Sequence, residues 1–311
     1  MSEQDTSDLK HRAERAEAAL QDAKQLTEHL RNQLFKLCNH LEASRWVKIG
    51  RRLGVTKLAL LIDQFKQRPL LQDMPASTTA SAARAVAPPE VFSMEATLRH
   101  LVAKEFRPRV ILDIGAAKGY WSEFAHYFYP DAAFYLIDPL VESEPRLQHL
   151  CATKQNFSYL LCAAGEAEGQ LPMSIASDLD GSSLFSFNVN GTTDAPERIV
   201  QVRTIDSLLA TGKIAAPQLV KIDVQGYELK VLNGGTKLFE TTEVFILEVS
   251  LFEFLPGMPI VHQVVDYMVR RHYVLYDVAG YLRRPYQSDL GQLDLVFVRQ
   301  DSPLYASKRW H

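Results

Sequence analysis

The rhythm of hydrophobic and polar positions divides the chain into stretches of different character. From Leu9, alternating steps of four and three meet Leu9, Ala13, Ala16, Leu20, Ala23, Thr27, Leu30, Leu34, Leu37 and Leu41. Nine of these ten are apolar and the residues between them are mostly polar or charged. A 3.5-residue period held this long predicts a coiled-coil seam, the alternative being one amphipathic helix lying on its own chain. Alanines fill the first half of the seam, so the leucines of the second half would hold a homo-oligomer together. Residues 45–66, RWVKIGRRLGVTKLALLIDQFK, set Lys48, Arg51, Arg52 and Lys57 among Trp46, Val47, Ile49 and Leu53. A basic amphipathic stretch of this kind suits an anionic membrane surface, a partner protein or ordinary packing at home. Residues 1–70 therefore read as a helical segment. Residues 71–90, mostly Ala, Ser, Thr and Pro, have too little apolar bulk to order themselves and read as a flexible linker.

From residue 91 to 311 the rhythm changes to short β-rich runs alternating with helical patterns. RVILDIG (109–115), AAFYLID (132–138), FSYLLCAA (157–164), LVKIDV (219–224), EVFILEV (243–249), HYVLYDV (272–278) and LDLVFVR (293–299) read as strands. YWSEFAHYF (120–128), VESEPRLQHLCAT (141–153), 227–232 and 261–271 read as helices. Several strands are apolar throughout, which predicts a doubly wound α/β sheet covered on both faces. The last two strands have no helix between them and read as an antiparallel hairpin. Such a sheet takes its ligand beyond the carboxyl ends of its strands, where the strand order reverses.

Composition narrows the function classes. A net charge of −3 offers no basic field for nucleic acid, and the segment 91–311 has no basic stripe. Cys38, Cys151 and Cys162 match no zinc, redox or disulfide spacing. The N-terminus is too polar for a signal peptide, and no apolar run is long enough to span a membrane. The expectation is a soluble cytoplasmic protein.

The first strand runs into Asp113-x-Gly115-x-x-x-Gly119. This is not the G-x-G-x-x-G that places a pyrophosphate over a helix N-terminus. A carboxylate beside the turn would repel a pyrophosphate and suit a cation such as S-adenosylmethionine, with the glycines letting backbone approach the cofactor. Asp138, at the tip of the second strand, is placed to accept hydrogen bonds from two ribose hydroxyls. NAD also carries that ribose, so the turn, not Asp138, disfavours a nicotinamide oxidoreductase.

These blocks, with CAAGEAEGQLPM (162–173), DLDGSSLFSF (178–187), VRTIDSLL (202–209), LVKIDVQGYELKVLNGG (219–235), ILEV (246–249) and LDLVFV (293–298), occur in an order and spacing that resembles the FkbM family of S-adenosylmethionine-dependent methyltransferases. The resemblance spans roughly residues 108–300 and implies a class I methyltransferase sheet of seven strands in the order 3-2-1-4-5-7-6. It implies O-methylation of a sugar, glycan or natural-product hydroxyl. Gln225 and Tyr227 stand where the family usually has an acid and a small residue, Ala117 where Asn is frequent, and Asp138 where Glu is frequent. To the cofactor contacts Asp113, Gly115, Gly119 and Asp138 the matching blocks add Ala116, Tyr120, Trp121 and Pro139. The small residues Cys162, Ala163 and Ala164 would admit the adenine ring. Ser182 and Ser183 would lie near cofactor or acceptor, and Gln225 and Tyr227 on the acceptor side.

An alcohol needs help to act as a nucleophile. Asp223, at the end of the fourth strand, is the leading base and cofactor neighbour; Glu248 on the fifth strand would share the role. Lys221, two residues before Asp223, shares its face of the strand as a positioning charge or salt-bridge partner. His262, opening a helix after LFEFLPGMP (251–259), is a further candidate base, with a surface or capping role as the alternative. A carboxylate pair also suits Mg²⁺, although no metal is predicted. Two other readings share the fold: a coiled-coil scaffold with a cofactor-binding domain, and a methyltransferase for a protein or lipid acceptor.

Overall fold

The computed structural model describes residues 92–187, 195–284, 287–307 and 309. The heptad seam of 9–41, the basic stretch of 45–66 and the linker of 71–90 lie outside the described residues.

The elements follow in the order α1 (Met94–Ala103), β1 (Val110–Ile114), α2 (Tyr120–Phe128), β2 (Ala133–Asp138), α3 (Glu144–Thr153) and β3 (Phe157–Leu161). Then come β4 (Ala163–Ala164), β5 (Gly169–Ser174), β6 (Glu197–Arg203), α4 (Ile205–Ala210), β7 (Leu219–Ile222), α5 (Glu228–Asn233), α6 (Leu238–Thr241) and β8 (Val244–Ser250). The last are α7 (Val261–Val269), β9 (Tyr273–Arg283) and β10 (Leu290–Arg299).

Seven strands form one sheet in the order β3-β2-β1-β7-β8-β10-β9. Counted along the chain within that sheet, this is the order 3-2-1-4-5-7-6. β1 pairs parallel with β2 and β7, and β7 with β8, whereas β10 runs antiparallel to both β8 and β9. The expected doubly wound architecture, with its final antiparallel hairpin, is therefore observed.

Period-two alternation sends neighbouring side chains to opposite faces. Ile111, Phe134, Leu136, Leu219 and Ile246 pack under α1, α2 and α3 through Leu98, Leu101, Ala125, Leu147 and Leu150. Leu112, Ile114, Val220, Ile222 and Leu247 pack under α4, α5 and α7 through Ile205, Leu208, Val231, Val264 and Met268. The central strands are apolar throughout because both of their faces are covered.

One element departs from expectation. FSYLLCAA does not form a single strand: β3 ends at Leu161, and Ala163–Ala164 pair instead with β6 in a second, three-stranded sheet of order β4-β6-β5. Val200 and Val202 of β6 turn inward onto Met173, Ile175, Ala163 and Leu140, while Ile199 is exposed. This small sheet forms one wall of the cleft described next.

Candidate active site

Strand order reverses between β1 and β7, and there the carboxyl ends of β1, β2 and β7 open into a cleft of about 530 Å³, part of it open to solvent. Its floor is Gly115 and Asp223, its side Asp138, Pro139 and Leu140, and its far wall Cys162, Ala163, Ala164 and Met173. The segment 179–184 contributes Asp180 and Ser182, and Tyr227 closes one end.

Gly115 is required by the protein's own backbone. At φ +77°, a Cβ built there would stand 1.8 Å from the Asp223 carbonyl oxygen. The glycine thus lets the loop after β1 lie against the end of β7. The Cβ of a residue at 119 would meet only leucine side chains, Leu150 at 2.6 Å and Leu136 at 3.0 Å. Asp113 does not line the cleft. It is fully buried, accepts the Ser122 hydroxyl at 2.6 Å, and pairs in register with Lys221. Burial pushes its carboxyl above the ordinary range against the Lys221 charge. Ala116 is buried, with its N–H on the Ile137 carbonyl. Tyr120 is exposed beneath the Arg146 guanidinium, and Trp121 packs beside the Lys221 ammonium.

Asp138 reaches the cleft as expected from its place at the tip of β2. Its Oδ2 accepts the Ala117 N–H at 2.8 Å and its Oδ1 the Leu140 N–H at 2.9 Å. Burial pushes its carboxyl up to about 6 in spite of those bonds. Cys162 is likewise pushed up by burial, to about 11, which leaves its thiol protonated.

At the other end of the cleft a polar network crosses β7, β8 and β10. Lys221 Nζ donates to Asp223 Oδ2 at 2.8 Å, and Gln225 Nε2 donates to Asp223 Oδ1 at 3.0 Å. Burial opposes the Asp223 charge, but Lys221 and the hydrogen bonds outweigh it and hold the carboxyl below its ordinary range. Burial also opposes the Lys221 charge, and Asp223 and Asp113 overcome it to hold the ammonium above its ordinary range. Glu248 behaves oppositely to Asp223: burial, then the charges of Asp223, Asp294 and Glu228, push it up to about 9. Two neighbouring carboxyls driven apart in this way mark an ionised acceptor and a protonated partner.

The remaining expected residues are placed as follows. The Ser182 hydroxyl accepts the Ala176 N–H at 3.0 Å, and Ser183 Oγ donates to the Gln225 carbonyl at 2.8 Å. Tyr227 lines the cleft and meets Phe185 edge-on at 5.4 Å. His262 is not brought to the cleft; it is exposed on α7, in a separate depression with Gln263, Asp266 and Arg270. Gln292 and Asp294 were missed by the sequence reading. They sit two apart on β10, hence on one face, and Asp294 is paired in register with Glu248. Two polar residues at that spacing beside an apolar strand are the signal that would have found them. Among the described residues, no group of three or more His, Cys, Asp or Glu side chains converges as a metal site.

The model of the methyltransferase FkbM domain matches residues 113–275, more than half of the chain. The chain belongs to the FkbM methyltransferase family. A curated relative of this FkbM chain is the hexuronic acid methyltransferase AglP of Haloferax volcanii, 36% identical over 63 residues. That match covers 19% of this chain and 26% of the relative, so it spans about a quarter of the relative's length. Among solved structures, magnesium protoporphyrin IX methyltransferase from Synechocystis PCC 6803 with bound SAM is 12% identical, with a TM-score of 0.40 over 66% of the FkbM chain and 77% of its own. The 1,6-didemethyltoxoflavin-N1-methyltransferase of Burkholderia thailandensis is 11% identical, with a TM-score of 0.38 over 72% and 85%. Among the described residues, no helix is long and apolar enough to cross a membrane.

Proposed function

We propose that this FkbM chain is a cytoplasmic S-adenosylmethionine-dependent O-methyltransferase. Its acceptor would be a hydroxyl of a sugar, glycan or glycosylated small molecule, and its heptad seam would assemble it as a homo-oligomer. The observation that carries the cofactor is the charge of the cleft. Among the described residues, Asp138, Asp180 and Asp223 line it, and no Lys, Arg or His does. A pyrophosphate would meet three carboxylates and no cation in the lining, the Lys221 ammonium being committed to Asp223, whereas a cationic, phosphate-free cofactor fits that lining. Each Asp138 oxygen already takes one backbone N–H, and with the Ser143 hydroxyl as a third donor the carboxylate keeps one lone pair for a ribose hydroxyl. Ile137, Leu140, Cys162, Ala163 and Met173 supply the apolar walls that a flat adenine requires. The sugar acceptor rests on the family and on the likeness to the hexuronic acid methyltransferase.

When bound, S-adenosylmethionine supplies a methyl group activated by its sulfonium, so the acceptor hydroxyl becomes strongly acidic as its new bond forms. A weakly basic carboxylate is then sufficient to take the proton. Asp223 meets that need, because Lys221 keeps it ionised. Its Oδ1, hydrogen-bonded by the neutral Gln225 amide, is more basic than Oδ2, which faces the ammonium. Oδ1 is therefore assigned as the atom that receives the proton. Ser183, by holding the Gln225 carbonyl, keeps the 178–187 segment over this end of the cleft.

Calorimetric titration of the full chain with S-adenosylmethionine and with NAD tests the cofactor. Binding of the sulfonium cofactor alone, weakened in Asp138→Ala, supports the reading; binding of NAD alone overturns it. Transfer of labelled methyl to a panel of glycans then tests the acceptor. Asp223→Asn is expected to lower turnover about 100-fold or more with cofactor affinity retained.

A further inference from the structure

Glu248 lies beside the assigned proton acceptor, and two amides meet on one of its oxygens. Gln225 Nε2 is 2.8 Å from Glu248 Oε2, and Gln292 Nε2 is also 2.8 Å from it. A carboxyl oxygen has two lone-pair positions, and two N–H donors fill them. We propose that Gln225 and Gln292 are positioning residues that occupy Glu248 Oε2 and so confine the Glu248 proton to Oε1. The proposal deepens the reading of Asp223 as proton acceptor and rests on it.

Three observations converge here. Gln225 Nε2 also donates to Asp223 Oδ1 at 3.0 Å, so a single amide spans both carboxyls and sets their separation. Asp294 stands opposite Glu248 in register on β10, so a third carboxyl crowds the same place. The backbone at Gln225 is held at φ +53°, a left-handed conformation that a long side chain adopts at a cost. Its neighbours hold it there: Ser183 Oγ donates to its carbonyl at 2.8 Å, and Glu228 Oε1 accepts the N–H groups of Val224 and Gly226. The strain is localised at the residue that carries the bridging amide, where strain in a fold commonly serves a function.

The charged groups around Glu248 favour its neutral form, with a single exception. Asp223 faces it from the end of β7, Asp294 from β10 and Glu228 from the first turn of α5, all acidic. Lys221 is the cation in reach, and it is bonded to Asp223. α7 packs on this part of the core through Val264 and Met268, and its His262 and Asp266 are exposed. Two carboxyls sharing one committed ammonium cannot both ionise at neutral pH. The resting pair thus holds a single proton. With that proton on Glu248, the Asp223 carboxylate, held by Lys221 and Gln225, stays free to accept one more.

Infrared spectroscopy of the full chain in heavy water reads this arrangement without an acceptor. At neutral pD we expect a protonated-carboxyl carbonyl band that is absent in Glu248→Gln. Labelling glutamate side chains with carboxyl ¹³C should move the same band in the unsubstituted protein, and its persistence at about pD 8, above the value of about 7 to which burial pushes Glu228, assigns it to Glu248 even if the variant fails to fold. Gln292→Met removes one donor from the carbonyl oxygen, so the band should shift to higher wavenumber; Gln225→Met should do the same. A merely structural glutamine would leave its frequency unchanged. No glutamate-derived band, or a band unmoved in both variants, overturns the proposal. S-adenosylmethionine titration of the same samples reports separately on the cofactor reading, so the two can fail independently.

Discussion

At the scale of single residues, the two glycines after β1 answer to different neighbours. Gly115→Ala would drive a methyl into the Asp223 carbonyl, 1.8 Å away, and backbone on both sides resists. A loss of about 4 kcal/mol or more is expected, visible as a collapse of the thermal transition. Gly119→Ala meets only leucine ends that can rotate, and should cost about 1–2 kcal/mol, chiefly for its φ of +74°. Asp138 makes a prediction in pH. Its carboxyl, pushed up to about 6 by burial, must be ionised to accept a ribose hydroxyl in addition to two backbone N–H groups and the Ser143 hydroxyl. Ligand binding therefore favours the deprotonated form, and below about pH 6 it must expel a proton. Affinity for S-adenosylmethionine should fall as pH drops through that value, approaching about tenfold per unit, and Asp138→Asn should lose the step. For stability the sign is opposite: a carboxyl raised above its unfolded value of 3.8 favours the fold while protonated, and that contribution is lost as pH rises through about 6.

At the scale of elements, the 178–187 segment depends on one hydroxyl. Ser183 Oγ donates to the Gln225 carbonyl and accepts the Phe185 N–H at 3.0 Å, while its backbone pairs with Ser174. Ser183→Ala should leave the backbone bridge in place and free the segment beyond it. The expected result is amide exchange at Phe185 faster by about tenfold, equivalent to about 1.4 kcal/mol of lost local stability, with β1 and β7 amides unchanged. Family resemblance placed this serine near cofactor or acceptor, yet Ser182 and not Ser183 lines the cleft, and its work as a latch was not legible because a hydroxyl's partner is a matter of tertiary position. The main sheet was legible for the opposite reason. Runs such as LVKI and VFILEV are apolar on both faces, and that pattern has few solutions in a chain that alternates strand and helix. The small sheet escaped notice because β4 is two residues long and continuous with β3 in composition. β6 alternates over ERIVQVR, yet its inward Val200 and Val202 were hidden by the exposed Ile199. Asp138 was found by position at a strand tip; Gln292 was not, since an amide at a strand end announces nothing until β8 is placed beside it.

At the scale of the whole molecule, the heptad seam of 9–41 and the cleft are expected to make separable demands. Both faces of the seven-stranded sheet are covered by helices drawn from residues 94–269, and the cleft lining runs from Ile114 to Tyr227. The heptad seam lies outside the described residues, and as a self-association seam it is expected to respond to different substitutions from those that affect cofactor binding. In the seam, Leu30, Leu34, Leu37 and Leu41 supply the apolar bulk, whereas the preceding alanines bury little. Leu34→Asp with Leu37→Asp would place two carboxylates per chain in the contact, and burying an unpaired charge costs several kcal/mol. Sedimentation equilibrium should then show an oligomer for the unsubstituted chain and a monomer for the double variant, with S-adenosylmethionine affinity equal in both. If the mass does not change, the 3.5-residue period marks an amphipathic helix and not a self-association seam. If the mass falls and affinity falls with it, the cleft depends on the neighbouring subunit, and residues from outside the described cleft must contribute to the site.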